Sequence, residues 1–288
     1  MISTRKVLRS ADGQCSGALL RPDPAPPPGA TWPLLACIPG GGCSGRYFEL
    51  AKHSTAATAL ERGFAVLLVD RPGYGASDPI GGHRPIRSSV THIASLIWTA
   101  LKEPDIADEL VIIGHSIGAA VALLLAAQAD DLPLRAVAVS GLGDEPPPMT
   151  RRWAEDALGA ANRPDLSAQM FFGPPGTYDW RGPAALRRAA EPWRMTEVVE
   201  IVNDWPDLWP RLAPAITCPA HLRLSDTDNI WVADEAVVQR MAVRLTASPL
   251  VDAELLANGG HAYEFHLRGP DLVADQLRFL GEYVTGAT

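Results

Sequence analysis

Apolar runs alternate with stretches of helical periodicity along most of this chain. Most of these runs are apolar at nearly every position, a pattern typical of strands that are buried on both faces of a parallel sheet. These runs predict strands at 34–38, 64–70, 110–113, 135–140, 221–224 and within 249–256. Helical periodicity predicts helices at about 46–62 (with Gly63 as its cap), at 85–102, up to about 129, at 233–244 and at 270–284. The predicted fold class is therefore α/β, a mostly parallel sheet with helices on both faces, preceded by a hairpin over 4–21.

One long segment interrupts this alternation. Residues 146–214 begin in a proline run and show several short helical patterns but no convincing strand. They also contain five of the eight tryptophans, namely Trp153, Trp180, Trp193, Trp205 and Trp209. We therefore expect a core formed by 1–145 and 215–288, with 146–214 as a helical insertion between two core strands.

Composition and charge narrow the classes of function. Hydrophobic residues make up 47% of the 288 residues, enough for a substantial core. The 25 basic and 33 acidic residues give a net charge of −8 without any Lys/Arg-rich run, which argues against nucleic acid as a partner. The first residues lack the apolar stretch of a secretory signal, and the most apolar stretch, 111–129, has two glycines, a histidine and a serine near its start, so no membrane partner is predicted. We expect a cytoplasmic protein whose oligomeric state the sequence does not reveal.

The cysteines carry no metal-site or disulfide signature. Cys15, Cys37, Cys43 and Cys218 show neither a CxxC motif nor the spacing of Cys/His ligands. We therefore expect four free thiols, and predict neither a disulfide framework nor a bound metal.

The motif that could carry chemistry is Gly114-His115-Ser116-Ile117-Gly118, which matches the nucleophile-elbow pattern GxSxG. It lies between an apolar strand and an apolar helix, where small residues permit the sharp turn that exposes a serine hydroxyl above a sheet. Ser116 is therefore the predicted nucleophile. We expect His115 and Ile117, at the variable positions, to fill the turn and pack.

A serine nucleophile requires a base that accepts its proton and an acid that orients the base. His261 follows the last predicted strand in a glycine-containing loop and is the candidate base, with His266 as its rival. Two carboxylates follow the preceding strand, and Asp228 is favoured because a short turn normally separates the strand from the acid. Asp226 then serves as a turn or cap residue, while Asp144 is the topological alternative.

Backbone donors for a developing oxyanion are predicted at a second strand end. Pro39-Gly40-Gly41-Gly42 follows the strand at 34–38, and glycines allow backbone N–H groups to face a substrate without a Cβ in the way. We assign Gly41 or Gly42, together with the N–H of Ile117, to an oxyanion hole. A nucleotide site is not supported, because the Lys-Ser/Thr of a P-loop and the GxGxxG motif are both absent.

Together these motifs, with Asp70-Arg71-Pro72-Gly73-Tyr74-Gly75-Ala76-Ser77, resemble those of the α/β-hydrolase superfamily. The resemblance covers nearly the whole chain, and it implies the α/β-hydrolase fold with 146–214 as a helical cap. Pro39 departs from the pattern, because many relatives have a histidine before the oxyanion-hole glycine. Ser116 also sets the chain apart from the haloalkane dehalogenases and epoxide hydrolases of the superfamily, which use an aspartate nucleophile.

The leading functional hypothesis is a serine hydrolase that cleaves a small-molecule carboxylic ester or lactone through an acyl-enzyme, without a cofactor. We expect the tryptophan-rich insertion to cover the site, and Trp231, Phe171 and Phe172 to line it against an apolar or aromatic substrate group. The alternatives on the same scaffold are a C–C bond hydrolase, an amidase or peptidase, a perhydrolase and a cofactor-free lyase or dioxygenase. A non-catalytic small-ligand binder is the alternative from another class.

Overall fold

A single mixed sheet forms the centre of the computed structural model, which describes residues 4–50, 54–128, 131–157 and 167–287. The first two strands form the expected hairpin, and the following strands coincide with the predicted apolar runs. The strands are β1 (Thr4–Arg9), β2 (Ser16–Arg21), β3 (Trp32–Ile38), β4 (Ala65–Asp70), β5 (Ile106–His115), β6 (Leu134–Ser140), β7 (Ala220–Ser225) and β8 (Val251–Leu256).

The strand order is β1-β2-β4-β3-β5-β6-β7-β8. The pairs β1–β2 and β2–β4 are antiparallel, and every other neighbouring pair is parallel. The carboxyl ends of β3, β5, β6, β7 and β8 therefore meet at one edge of the sheet, the edge at which open α/β sheets place their sites. This arrangement confirms the predicted fold class.

Helices cover both faces of this sheet. Leu34 and Ala36 of β3 belong to one hydrophobic cluster, whereas Leu35 and Cys37 belong to the cluster on the opposite face. This two-sided burial explains why the strands are apolar at successive positions. The helices are α1 (Thr55–Glu61), α2 (Pro85–Leu101), α3 (Ile117–Gln128), α4 (Pro148–Ala157), α5 (Ser167–Phe172), α6 (Gly182–Leu186), α7 (Met195–Asn203), α8 (Trp205–Leu212), α9 (Glu235–Ala242) and α10 (Gly269–Gly281).

The helix predicted at 46–62 is wrong as a continuous element. A 3₁₀ helix covers Gly45–Glu49 and α1 begins only at Thr55, while residues 51–53 lie outside the described residues. Leu50 is extended, with φ −76° and ψ 136°, and this ends the first helix. The side chain of Ser54 accepts a hydrogen bond from Ala57 N, a local N-cap that starts the second. Gly63 follows α1 with φ +86°, as expected for a residue that ends a helix.

The segment between β6 and β7 is helical. It contains α4 to α8, and residues 158–166 within it are outside the described ranges. Trp205 and Trp209 stack on each other, are almost fully buried and join the hydrophobic cluster that includes α2 and α3. The indole N–H of Trp205 also donates to Gly143 O, just beyond β6. The last part of the insertion is thus packed firmly on the core. None of the helices in the described ranges is long and apolar enough to cross a membrane.

All four cysteines are buried free thiols, as predicted. Burial raises the pKa of the Cys15 and Cys43 thiols to about 12 and that of Cys218 to about 11. The thiol groups are therefore protonated and unreactive at neutral pH.

Candidate active site

The predicted nucleophile lies on a tight turn between β5 and α3. Ser116 has φ +55°, in the left-handed region that side chains other than glycine rarely adopt. Gly114 and Gly118 flank it, and a Cβ at either position would collide with backbone, at Gly114 with the carbonyl of Gly118 and at Gly118 with that of Ile38. The glycine spacing of the motif therefore exists because β5, α3 and β3 approach too closely for any side chain at these two positions.

Ser116, His261 and Asp228 form one hydrogen-bonded chain. His261 Nε2 lies 2.8 Å from Ser116 Oγ, and His261 Nδ1 lies 2.7 Å from Asp228 Oδ2. Because an ionised carboxylate only accepts hydrogen bonds, Nδ1 carries the proton and Nε2 is left to accept the serine hydroxyl. The other carboxylate oxygen of Asp228 accepts from the N–H groups of Ile230, at 2.7 Å, and Trp231, at 3.2 Å. The acid is thus held in place on both sides.

The rival residues have other partners. Asp226 accepts from the backbone N–H groups of Asn258 and Gly259, so that it holds the loop that leads to His261. Asp144 is paired with Arg240, with an N–O distance of 2.7 Å. His266 contacts Phe172 O and Gly260 N through its Nε2. The structure therefore brings together the favoured acid, base and nucleophile and leaves the three alternatives in structural roles.

Two of the predicted oxyanion donors are free. The N–H groups of Gly41 and Ile117 make no hydrogen bond to another residue in the described ranges, whereas Gly42 N–H donates to Tyr74 Oη at 3.2 Å. Gly41 lies directly beside Ile117, since a Cβ at Gly41 would be 2.9 Å from Ile117 Cδ1. Gly41 and Ile117 are therefore the available pair, and Gly42 is engaged elsewhere.

A buried ion pair holds residues 39–42, here termed the glycine loop, in place. Arg71 is fully buried and donates to Pro39 O at 2.9 Å and to Gly40 O at 3.0 Å. Its guanidinium also binds both carboxylate oxygens of Glu197, on α7 of the insertion, and Tyr74 Oη donates to the same carboxylate at 2.7 Å. Burial alone would lower the pKa of Arg71, but the charge of Glu197 outweighs it and the pKa is raised. Sequence reasoning did not find this cluster, although Arg71 and Tyr74 lie in one of the quoted motifs.

Two cavities flank the nucleophile. The first has about 640 Å³ of empty space, its open mouth included, and is bordered by the glycine loop, Ser116, His261 and parts of the insertion. The second has a volume of about 340 Å³. The described residues at its border are Ser116, His261 and apolar side chains, among them Trp153, Val198, Ile201, Ile230 and Trp231.

The predicted lining residues are distributed over both cavities. Phe171 borders both, Phe172 borders the first and Trp231 the second. Trp193, which was not singled out from the sequence, also borders both and packs directly on the loop: a Cβ at Gly41 or Gly42 would be less than 3 Å from its ring. The tryptophan content of the insertion was the available signal, but it does not tell which indole faces the site.

His115 packs in the turn as expected, but it also belongs to a buried hydrogen-bonded cluster that the sequence did not indicate. Its Nδ1 lies 3.1 Å from Ser140 Oγ, which donates to Glu264 Oε1 at 2.7 Å. Tyr47 donates to the other oxygen of Glu264 at 2.8 Å and stacks on the imidazole with an angle of 11° between the rings. These four residues, here termed the His115 cluster, are all buried beneath Ser116.

The carboxylate of Glu264 in the His115 cluster should make the free energy of unfolding depend on pH. Burial would raise the pKa of Glu264, but the charge of His115 and the hydrogen bonds lower it from 4.5 to about 2. A carboxylate with a depressed pKa stabilises the fold above its unfolded-state pKa, and this stabilisation is lost as the pH falls toward the folded-state value. The wild type should therefore lose about 3 kcal/mol of unfolding free energy between about pH 4.5 and pH 2 through this group. Urea unfolding of wild type and Glu264→Gln across this range measures it. The two stabilities should converge in acid, and parallel curves would contradict the assignment.

The fold and the site define an α/β protein with a serine elbow and a histidine–aspartate pair at the carboxyl edge of its sheet. The model of the alpha/beta hydrolase family matches residues 35–276, and the chain belongs to that family. A search of curated proteins found no match. Among solved structures, a thermophilic esterase from Thermogutta terrifontis is similar, with 19% identity, a TM-score of 0.65 and coverage of 96% of this chain and 99% of that one.

Two further solved structures show the same fold. The enol-lactonase from Burkholderia xenovorans LB400 has 17% identity and a TM-score of 0.69, covering 96% of this chain and 99% of its own. A carboxylesterase from Bacillus subtilis has 16% identity and a TM-score of 0.69, covering 100% of this chain and 93% of its own. The family match confirms the resemblance drawn from the sequence motifs, and at these identities the structural likeness bears on the fold alone.

Proposed function

We propose that this protein is a serine hydrolase that cleaves a small-molecule carboxylic ester or lactone through an acyl-enzyme on Ser116. The observation that carries the proposal is the chain of short hydrogen bonds from Ser116 through His261 to Asp228, with two free backbone N–H groups beside the serine. A serine is activated for acyl transfer by this combination of a base, an orienting acid and oxyanion donors.

The geometry supports the following sequence of steps. His261 Nε2 takes the proton of Ser116 Oγ as the oxygen attacks the substrate carbonyl, and Asp228 stabilises the resulting imidazolium. The N–H groups of Gly41 and Ile117 bind the oxyanion of the tetrahedral intermediate. His261 then protonates the departing alkoxide, leaving the acyl group on Ser116. His261 then takes a proton from a water molecule, whose oxygen attacks the acyl carbonyl. As the acid leaves, His261 returns this proton to Ser116 Oγ and restores the hydroxyl.

The insertion and its aromatic residues support a substrate with an apolar or aromatic group. Phe171 and Trp193 stack on each other and border both cavities beside the nucleophile, and Trp231 borders the second. We propose that 146–214 acts as a cap over the site, because aromatic side chains from it supply much of the apolar contact area there. The esterase, lactonase and carboxylesterase named among the similar structures agree with this choice of reaction at the level of the fold.

Two measurements on the purified wild type test the proposed function. A fluorophosphonate probe should label the protein once, on the peptide that contains Ser116, because only an activated serine reacts quickly. A panel of p-nitrophenyl esters from acetate to decanoate, with several lactones, should show turnover whose chain-length profile reports the size of the cavities. If the wild type shows no labelling and no turnover, the serine-hydrolase proposal is refuted. Labelling without turnover of any ester or lactone would refute the ester or lactone assignment and favour another reaction of an activated serine.

A further inference from the structure

The proposed mechanism leaves one buried nitrogen beside the nucleophile without a role. His115 is 3% exposed, borders the first cavity and has its Nδ1 engaged by Ser140. Its Nε2 makes no hydrogen bond to any residue within the described ranges, and the atom retains some accessible surface. A polar atom that is held rigidly, faces a cavity and lacks a partner is available to a ligand.

The other members of the His115 cluster determine what this nitrogen offers. Glu264 accepts hydrogen bonds from Tyr47 and Ser140, so both of its oxygens act as acceptors of an ionised carboxylate. Its only ion-pair partner in the described part of the chain is His115, whose Nδ1 lies 3.4 Å from Oε1. A buried carboxylate is costly unless a cation compensates it. Glu264 is thus a fixed negative charge beside the imidazole, and when both ring nitrogens carry protons, Nε2–H faces the cavity as a donor.

A cationic side chain, that of Arg187, borders the same cavity. Arg187, just after α6, is exposed and makes no ion pair with any residue that the structure describes, and the residues bordering this cavity include no Asp or Glu. Among the described residues at the border of the second cavity, Ser116 and His261 are the polar ones and the rest are apolar. The two sides of Ser116 thus differ: one offers a directed donor and an unpaired cation, and the other offers apolar contact.

We infer that the substrate carries a carboxylate on the half that enters the first cavity, where His115 Nε2–H donates to it and Arg187 supplies charge at the mouth, while an apolar half occupies the second cavity. This inference rests on the proposed function and narrows its substrate class to carboxylate-bearing esters. His115 is a substrate-binding residue here, and Glu264, Ser140 and Tyr47 are positioning residues that act through it.

Matched pairs of esters that differ only in charge test the inference. Benzyl hydrogen succinate and benzyl 4-methylpentanoate differ by a carboxylate in place of an isopropyl group on the acyl half. Carboxymethyl phenylacetate and isobutyl phenylacetate carry the same difference on the alcohol half. The wild type should prefer the charged member of at least one pair by about 10- to 100-fold in kcat/KM, the worth of a charge-assisted hydrogen bond.

Two substitutions of His115 separate binding from structure. Asparagine keeps a donor near the Nδ1 position and has no atom at the Nε2 position, so His115→Asn should abolish the preference, mainly through a higher KM for the charged ester. Glutamine places an amide near the Nε2 position, so His115→Gln should retain part of the preference. Arg187→Gln should weaken it as well. In each variant kcat/KM for the charged ester should fall by a larger factor than kcat/KM for its neutral twin, and in His115→Asn the difference between the two losses should be about 10-fold or more.

His221→Gln is the matched control, because His221 is a fully buried histidine that contacts a carboxylate, Asp275, at 2.8 Å and borders neither cavity. It should leave both the preference and the neutral activity unchanged. An equal loss on both members of a pair in His115→Asn would overturn the inference and make His115 a residue that only positions the elbow.

Calorimetric measurement of ester binding to the Ser116→Ala variant tests the inference without turnover. The charged ester should bind this variant about 10-fold more tightly than its neutral twin, and this difference should vanish in the variant that also carries His115→Asn. Equal affinity for both esters would overturn the inference. Hydrolysis of the neutral esters by the wild type without any preference would also overturn it, yet leave the proposed function intact. Failure of the wild type to hydrolyse any ester would count against the proposed function, while the binding comparison would still decide the carboxylate site.

Discussion

Replacement of Ser116 by alanine is expected to lower kcat for ester hydrolysis by about 10⁴- to 10⁶-fold, because members of such a triad act as a unit and the loss of the nucleophile removes the covalent route. His261 and Asp228 stay in place in this variant, since their hydrogen bond does not involve the serine. Residual hydrolysis should remain about 10³-fold above the rate in water, from the oxyanion donors and binding alone. Steady-state kinetics on the best p-nitrophenyl ester, with the fluorophosphonate label as a second reading, measure the loss.

The control for this variant is Ser89→Ala, which removes the same hydroxyl group from a buried serine on α2. Within the described part of the chain, the Ser89 hydroxyl donates to Ile86 O of the same helix and to no other residue. Its kcat should match that of the wild type. Activity of Ser116→Ala within 10-fold of the wild type would place the nucleophile elsewhere.

Replacement of Glu197 by alanine is expected to destabilise the fold by about 3–5 kcal/mol, because it leaves the guanidinium of Arg71 buried without its counter-charge. Arg71 is fully buried, and its side chain also holds the carbonyl oxygens of Pro39 and Gly40. A shift of this guanidinium would therefore displace the adjoining Gly41 N–H, so kcat should also fall, by about 10-fold or more, with little change in KM. Urea unfolding and kinetics on a neutral ester measure the two effects.

Glu200 offers a matched control on the same helix. It is also buried, but its partner Arg87 is partly exposed, and it binds the N-terminus of α2 rather than the glycine loop. Glu200→Ala should lower the unfolding free energy by a smaller amount and leave kcat unchanged. A Glu197→Ala variant that loses stability but keeps full kcat would show that the buried pair only supports the fold.

Local signals explain why so much could be predicted from the sequence. The central strands are buried on both faces and contain continuous apolar runs, and the six predicted strands coincide with β3 to β8. The candidate site residues lie at strand ends: the elbow follows β5, the two aspartates follow β7 and the histidine follows β8. A parallel sheet brings these strand ends to one edge, independently of how its side chains pack. The structure accordingly places Ser116, Asp228 and His261 together, and the choice of Asp228 over Asp226 follows from the short turn after the strand.

Contacts between distant residues could not be predicted in this way. Glu197 pairs with a residue 126 positions away, and no periodicity in the chain indicates that partner. His115 was assigned to packing because a histidine in a turn has no visible partner until β6 and the loop after His261 fold against it. The break between the 3₁₀ helix and α1 was missed for a related reason: the break depends on an extended backbone at Leu50 and a serine cap, while the residues on both sides favour helix.

The left-handed conformation of Ser116 implies a conflict between durability and activity. A serine at this φ costs about 1 kcal/mol or more relative to glycine, which adopts the conformation freely. Glycine at this one position would thus give a more durable chain with no nucleophile. Selection for thermal tolerance alone would favour glycine at this position, so the proposed role of Ser116 as nucleophile is the one that would offset the lower stability.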